Sequence, residues 1–377
     1  MASRAPISLP DHIPALDGLR GIAALLVLAV HTDMPLTRRP MLKEGWVGVD
    51  LFFVLSGFLI TRILLKSRNS PRYFTNFYAR RVLRIWPVYF AIVLLVFAFE
   101  RFGRLQAHTT TWGWLVLATF TQNFYFGAYG WDSLPDWLGP TWSLGIEEQF
   151  YLVWPLLVRT CSLATLKKVC LAVIFITPFI RALVAYYWHH DDGTLVLTFC
   201  RLDTLCFGTL LAIGFESGDL RFSNWVQRLS LPAMALFIIS EKFASQLICE
   251  TFLYSLLAIA FAGTLAVCLA PITARSNRFV IALFTFGPLR FVGRVSYCLY
   301  LVHEMVFAIA ASHPAQRIAS QVLGWHPSGW SQIVVNWTLS LLVATLSWYL
   351  FESPILKLKR RFADPPQPAE TRAAAAV

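Results

Sequence analysis

Apolar segments about twenty residues long recur along the whole chain, and that recurrence constrains the fold more than any other feature. Ten of them cover about 13–33, 46–66, 85–103, 141–160, 169–188, 197–215, 229–246, 250–270, 295–312 and 331–352. A helix needs roughly 20 apolar residues to cross the hydrocarbon core of a bilayer. In lipid only helices and closed barrels satisfy every backbone donor and acceptor, and the alternation that a membrane barrel requires is not visible here. Charged residues make up 14% of the 377-residue chain, where a soluble chain carries about a quarter. The predicted class is an all-α, polytopic membrane helical bundle of about ten transmembrane helices.

One further apolar stretch, 112–126, contains Thr119, Thr121, Gln122 and Asn123 and is short for a span. It is expected to be half-buried or re-entrant, an arrangement tolerated where protein or water surrounds the backbone. The distribution of positive charge supports this choice. With both termini cytoplasmic, twenty lysines and arginines fall on the inner side, among them Arg80, Arg81, Arg84, Arg290, Arg294, Lys359 and Arg360. Eight fall in the outer regions and nearby helix ends, Arg181 among them. Counting 112–126 as a span would reverse every later loop and violate the positive-inside rule. The net charge of +11 then reflects membrane topology, with no nucleic-acid partner implied. The expected location is the inner (plasma) membrane, multi-pass, with no cleavable signal peptide. Seven cysteines lie in or beside apolar segments without any CxxC pair, so neither a metal site nor a disulfide framework is expected. Residues 11–361 read as one transmembrane domain without internal repeats, and the Pro- and Ala-rich residues 362–377 as a disordered tail.

Several polar residues interrupt this apolar background. Arg20 and His31 are eleven residues apart in the first segment, about three helical turns, so they share a face at roughly 16 Å separation. A cation and a titratable imidazole on one face are costly in a bilayer and predict a polar path through it. The fourth segment opens Thr141-Trp-Ser-Leu-Gly-Ile-Glu-Glu-Gln-Phe-Tyr151. If it begins at the outer side, Glu147 and Glu148 lie at a depth similar to His31, where a carboxylate would orient the imidazole and make it a better general base. Alternatively, Ser143 and Glu147 only cap and charge a helix start. Arg80 or Arg81 shares a helical face with Arg84 at the cytoplasmic mouth. Such guanidinium forks suit phosphate groups and equally suit a lipid-headgroup anchor. Asp50, inside the second segment, calls for a buried partner such as arginine, and Gly48, Ser56 and Gly57 permit close helix packing. Arg201 and Asp203 pair either with each other or with other polar groups. Ser296, Tyr300 and His303 form a polar stripe at one-turn spacing, and Glu352 reads as a helix end facing nearby cations.

The ordered set of motifs resembles the integral-membrane acyltransferase 3 family, whose members O-acylate polysaccharides, lipopolysaccharide O-antigens, Nod factors and some antibiotics. The resemblance is carried by Leu16-Asp-Gly-Leu-Arg-Gly21 with His31, Gly48-Val-Asp-Leu-Phe-Phe53 with Ser56-Gly-Phe58, and Arg81-Val-Leu-Arg84. It continues through Trp142-Ser-Leu-Gly-Ile-Glu-Glu-Gln-Phe-Tyr151, Arg201-Leu-Asp203, Ser296-Tyr-Cys-Leu-Tyr-Leu-Val-His303 and Glu352-Ser-Pro354. Each motif alone is weak, but their order across 11–361 is specific. The resemblance implies an acyl-CoA-dependent O-acyltransferase that moves an acyl group, acetyl foremost, from cytoplasmic acyl-CoA to a hydroxyl of an extracytoplasmic carbohydrate or glycolipid. It places the nucleotide phosphates near Arg81 and Arg84, the pantetheine arm past Arg20, and the thioester at His31. On this reading His31, Glu147 and Glu148 are catalytic. Asp50, Ser143, Arg201, Asp203, Tyr300 and His303 are substrate-facing or structural, and no metal is required. Some relatives carry an additional hydrolase-like domain, and the stand-alone form is expected here. The competing class is a proton-coupled transporter or flippase of an anionic metabolite, because buried His, Glu and Arg also build proton relays. That class commonly shows inverted repeats, which this sequence lacks.

Overall fold

The computed structural model describes residues 7, 9–32, 46–103, 109–188, 193–269, 278–324 and 328–362. The tail from residue 363, expected to be disordered, lies outside the described residues, as do Arg38, Arg39, Lys43, Arg104 and Arg275 of the charge balance. The helices in chain order are α1 (Pro14–Val30), α2 (Trp46–Lys66), α3 (Tyr73–Arg101), α4 (Thr111–Ala118), α5 (Gln122–Tyr129), α6 (Thr141–Thr160), α7 (Leu163–Tyr187) and α8 (Gly193–Val196). They continue as α9 (Leu202–Glu216), α10 (Arg221–Phe243), α11 (Gln246–Leu269), α12 (Arg278–Phe284), α13 (Gly287–Ala311), α14 (His313–Leu323), α15 (Trp330–Ser347) and α16 (Ser353–Lys357). No strand occurs among the described residues.

Each of the ten expected segments contains a helix. Among the described residues, six helices are long and apolar enough to cross a membrane: α2, α3, α7, α11, α13 and the run from 330 to 362. The other four expected spans are shorter or more charged. Helix α1 has 17 residues and α9 has 15; α6 carries Glu147, Glu148 and Arg159, and α10 bears charges at both ends. The stretch 112–126 is not one continuous helix. It forms two 8-residue helices, α4 and α5, each about 12 Å long, broken where Phe120 adopts a φ of 56°. That left-handed conformation is unfavourable for a residue with a side chain. It is held by the Gln149 amide, which donates to the Phe120 carbonyl at 3.0 Å, and by stacking of the Phe120 ring on Tyr89.

The bundle is apolar outside and buries a set of charged and polar groups within its apolar core. Leu94, Leu152, Phe175 and Leu231 are more than half exposed, while Asp50, Arg181, Arg201, Asp203 and His303 are fully buried. This distribution fits lipid around the helices and a polar interior between them. Helix α1 packs against α2 and α13, α13 against α15, and α2 against α9, which also meets α7. The α1–α13 contact is close because residue 293 is glycine: a Cβ there would overlap the carbonyl oxygen of Asp17. Gly293→Ala should therefore force the two helices apart at a cost of about 1–3 kcal/mol. Thermal denaturation of the detergent-purified protein reads this as a lowered transition, and an unshifted transition would show that α1 and α13 separate without strain.

Candidate active site

His31 caps the C-terminal end of α1. Its Nδ1 lies 2.9 Å from the Val27 carbonyl oxygen, one turn back. An Nδ1–H donated there turns Nε2 toward Glu304, whose Oε1 is 3.1 Å away. Glu304 comes from α13, the helix that Gly293 lets approach. Its neighbour His303 has Nδ1 2.6 Å from the Tyr300 carbonyl, and its ring meets His31 edge-on at 4.8 Å between centroids. The His303 Nε2 is buried and has no hydrogen-bond partner. A cavity of about 350 Å³ opens over this group, with Trp131, Trp142 and Tyr300 among its walls. Gly139, in the segment before α6, leaves room for the carboxylate: a Cβ there would lie 2.9 Å from Glu304 Oε2.

A second cavity, of about 110 Å³, adjoins the first; Val49 and Tyr300 line both. Its polar walls include Arg20, Arg81, Arg84, Ser56, Glu147 and Tyr151. Ser56 donates to Glu147 Oε1 at 2.5 Å and Tyr151 to Glu147 Oε2 at 3.1 Å. Arg81 lies against the rings of Phe77 and Tyr151. At the junction, Tyr300 Oη donates to the Pro140 carbonyl at 2.9 Å and sits 2.7 Å from Ser143 Oγ. A third cavity of about 490 Å³ shares Arg81 and adds Lys66, Arg80 and Lys359.

The structure thus gathers Arg20, Arg81 and Arg84 around one chamber and His31, Tyr300 and His303 around the next. It does not bring Glu147 or Glu148 to His31. Glu147 lines the arginine chamber, and Glu148 faces Trp86 Nε1 at 3.5 Å. The reason is depth. Helix α6 begins at Thr141, so Ser143 is level with Tyr300, and Glu147 lies one turn further along, about 6 Å. The carboxylate at His31 is Glu304, which sequence reasoning passed over although it directly follows the last motif histidine. Arg201 and Asp203 do not pair with each other, since residues two apart on a helix point away from one another. Arg201 bonds Asp50 at 2.7 Å, and Asp203 bonds Arg181 at 3.0 Å. Arg181, counted above among the outer-side charges, is wholly buried. Arg20 makes a 3.5 Å contact with Asp17. Glu352 is buried in a π-helical turn beside Ser347.

Donor atoms of His31, His303 and Glu304 lie within 4.8 Å of one another. Two ligands each about 2.1 Å from one ion stand at most about 4.2 Å apart, so this trio would have to tighten to hold a metal. As it stands, His31 Nε2 and Glu304 Oε1 face each other directly at 3.1 Å, a contact that becomes a hydrogen bond when Nε2 takes up a proton.

A helical membrane bundle with a histidine–carboxylate pair over one chamber and clustered arginines around the next defines a polytopic membrane protein with a polar, chambered interior. The chain belongs to the acyltransferase 3 family: the family model described as an acyltransferase domain matches residues 13–352. Among curated relatives, the peptidoglycan O-acetyltransferase OatA of Listeria monocytogenes is 29% identical over 376 residues, covering 92% of this chain and 56% of the relative. The O-acetyltransferase OatA of Staphylococcus aureus is 25% identical over 382 residues, covering 92% of this chain and 58% of the relative. The chain thus spans little more than half the length of these relatives. No solved structure matches it.

Proposed function

We propose that this chain is a membrane O-acyltransferase that moves an acyl group from cytoplasmic acyl-CoA to a hydroxyl of an extracytoplasmic carbohydrate or glycolipid. The observation that supports it best is the pair of adjoining chambers, one lined by three arginines and the other by His31 and Glu304, sharing Tyr300 and Val49. A bilayer-spanning donor has an anionic nucleotide end and a slender thioester arm, and this polarity matches that layout. The basic ends of α3 and the last turns face the cytoplasm on this reading, in line with the positive-inside rule. The O-acetyltransferase relatives favour acetyl as the group and a cell-surface glycan as the acceptor.

In the reaction the acceptor oxygen attacks the thioester carbonyl as His31 Nε2 takes the hydroxyl proton. The Nδ1–H bond to Val27 fixes the tautomer that leaves Nε2 able to accept. The imidazolium that forms is already beside the Glu304 carboxylate. The tetrahedral oxyanion then collapses, the carbon–sulfur bond breaks, and the departing thiolate recovers the proton from His31. Tyr300 Oη, at the chamber junction, donates to the oxyanion by turning its O–H away from the Pro140 carbonyl, which Ser143 Oγ also bonds.

Arg84 tests the donor side. Arg84→Ala removes one guanidinium from the second chamber and should weaken acyl-CoA binding about tenfold, the scale of one charge-assisted contact. Titration of the purified protein with a non-hydrolysable acyl-CoA analogue measures it. Equal affinity in wild type and variant would remove Arg84 from the donor site.

A further inference from the structure

The first chamber differs from the second in both charge and wall chemistry. Three arginines line the second, whereas no lysine or arginine is among the described residues lining the first. Its walls carry the two histidines, Tyr300 and the carboxylates of Glu304 and Asp136, and the indoles of Trp131 and Trp142 are among its lining. The segment that supplies these groups is built rather than loose. Gly130 turns the chain at a φ of 79°, Ser133 Oγ donates to the Gly130 carbonyl at 2.6 Å, and Thr141 Oγ1 donates to Leu138 O at 2.6 Å. Trp131 is propped on Phe126 at 5.0 Å between ring centroids, and Trp142 on Phe53. Asp136, by contrast, is exposed, and its carboxylate has no partner among the described residues.

The geometry points to an acceptor subsite in which Trp131 and Asp136 hold an uncharged sugar ring against the His31–Glu304 pair. This inference rests on the acyltransferase reading and narrows its substrate class. A pyranose has an apolar C–H face and a rim of hydroxyls. Indole faces cover the first, and an unpaired carboxylate accepts hydrogen bonds from two neighbouring hydroxyls. Small-ligand sites of this size are commonly aromatic-walled with few orienting polar groups. Asp136 and Glu304 also act against an anionic ring, because a second carboxylate brought into the chamber meets like charge with no lysine or arginine in the described lining to offset it. The donor's phosphates are excluded from this chamber for the same reason and remain with the arginines. Asp136 and Trp131 are binding residues here; the proton is handled by His31.

The test measures labelled acetyl transfer by the purified full chain to three oligosaccharides of equal length, made of hexose, N-acetylhexosamine or uronic acid. Wild type is expected to acylate a neutral oligomer with at least tenfold lower KM than the uronate. Trp131→Ala should raise the neutral acceptor's KM about tenfold while the KM for acetyl-CoA stays put. Asp136→Lys should raise the neutral KM and lower the uronate KM, a reversal that mere misfolding would not produce. Preference for the uronate in wild type, or an acceptor KM unmoved by both substitutions, overturns the subsite. Transfer to none of the three by wild type instead overturns the acyltransferase reading on which it rests.

Discussion

On the proposed acyltransferase reading, His31→Ala is expected to leave the protein in the membrane at wild-type abundance and to lower acyl transfer by about 10²–10⁴-fold, the usual contribution of a positioned general base. Abundance holds because the side chain is 38% exposed toward the chamber, so truncation opens no void in the packed core. Activity falls because the chamber's other histidine, His303, is fully buried and has no carboxylate at its Nε2, whereas His31 has Glu304. Carboxylate variants identify the partner. Glu304→Gln keeps a hydrogen bond to Nε2 and loses the charge that balances the imidazolium, so it should reduce kcat by more than tenfold with little change in the acetyl-CoA KM. Glu147→Gln acts in the arginine chamber and should change the acetyl-CoA KM more than kcat. Transfer of labelled acetyl from acetyl-CoA by membranes of matched protein content measures all three. Full activity in His31→Ala would end the assignment of the base, and a larger kcat loss in Glu147→Gln than in Glu304→Gln would return the partner role to α6.

Much of this architecture is legible before any coordinates. Hydropathy locates a helix in each of the ten segments, and the polar run 119–123 marks a break inside 112–126. The helix ends are less legible: four helices start well before the expected segment, whereas α9 starts at Leu202, after the expected 197. Helix α3 begins at Tyr73 rather than 85, α7 at Leu163 rather than 169, α10 at Arg221 rather than 229, and α13 at Gly287 rather than 295. In every case the added turns carry arginine or lysine. These residues are good helix formers but lower hydropathy, so an apolar window finds the lipid-facing part of a helix and misses its basic continuation. The α3 extension carries Arg80, Arg81 and Arg84 on the same continuous helix as the apolar segment. Pairing is the other limit. The sequence marks His31, Asp50, Arg201 and Asp203 as groups that need partners, yet which partner each one meets depends on helix neighbours distant in sequence. Asp50 meets Arg201 from α2 to the start of α9, and His31 meets Glu304 from α1 to α13. Glu304 carried a local signal, a carboxylate next to a motif histidine, whereas Arg181 carried none beyond lying well inside an apolar segment.

Arg181 is where the second large effect falls. Arg181 and Asp203 are both fully buried and joined by two bonds, Nη1 to Oδ1 and Nη2 to Oδ2, each 3.0 Å. The guanidinium also donates to the carbonyls of Thr251 and Cys200 at 2.9 Å, tying α7 to α11 and to the entry of α9. Asp203→Ala leaves that cation buried and uncompensated and is expected to cost about 3–5 kcal/mol. Arg181→Met in the same background removes the stranded charge and should restore part of the loss. Full recovery is not expected, because the Thr251 and Cys200 carbonyls then lose their donor, at about 1–3 kcal/mol for each buried unsatisfied group. The ring of Tyr254 lies 3.9 Å from the Arg201 guanidinium and 5.4 Å from that of Arg181, and Arg201 in turn rests against Phe53, a wall of the arginine chamber. Loosening the first pair should therefore disturb donor binding as well as stability. Gel filtration of the detergent-purified protein after graded heating reads the stability order: wild type above the double variant, and the double variant above Asp203→Ala. A single variant as stable as the double would mean that the buried cation finds another counter-charge, and the pair would then lose its role as the clamp between these helices.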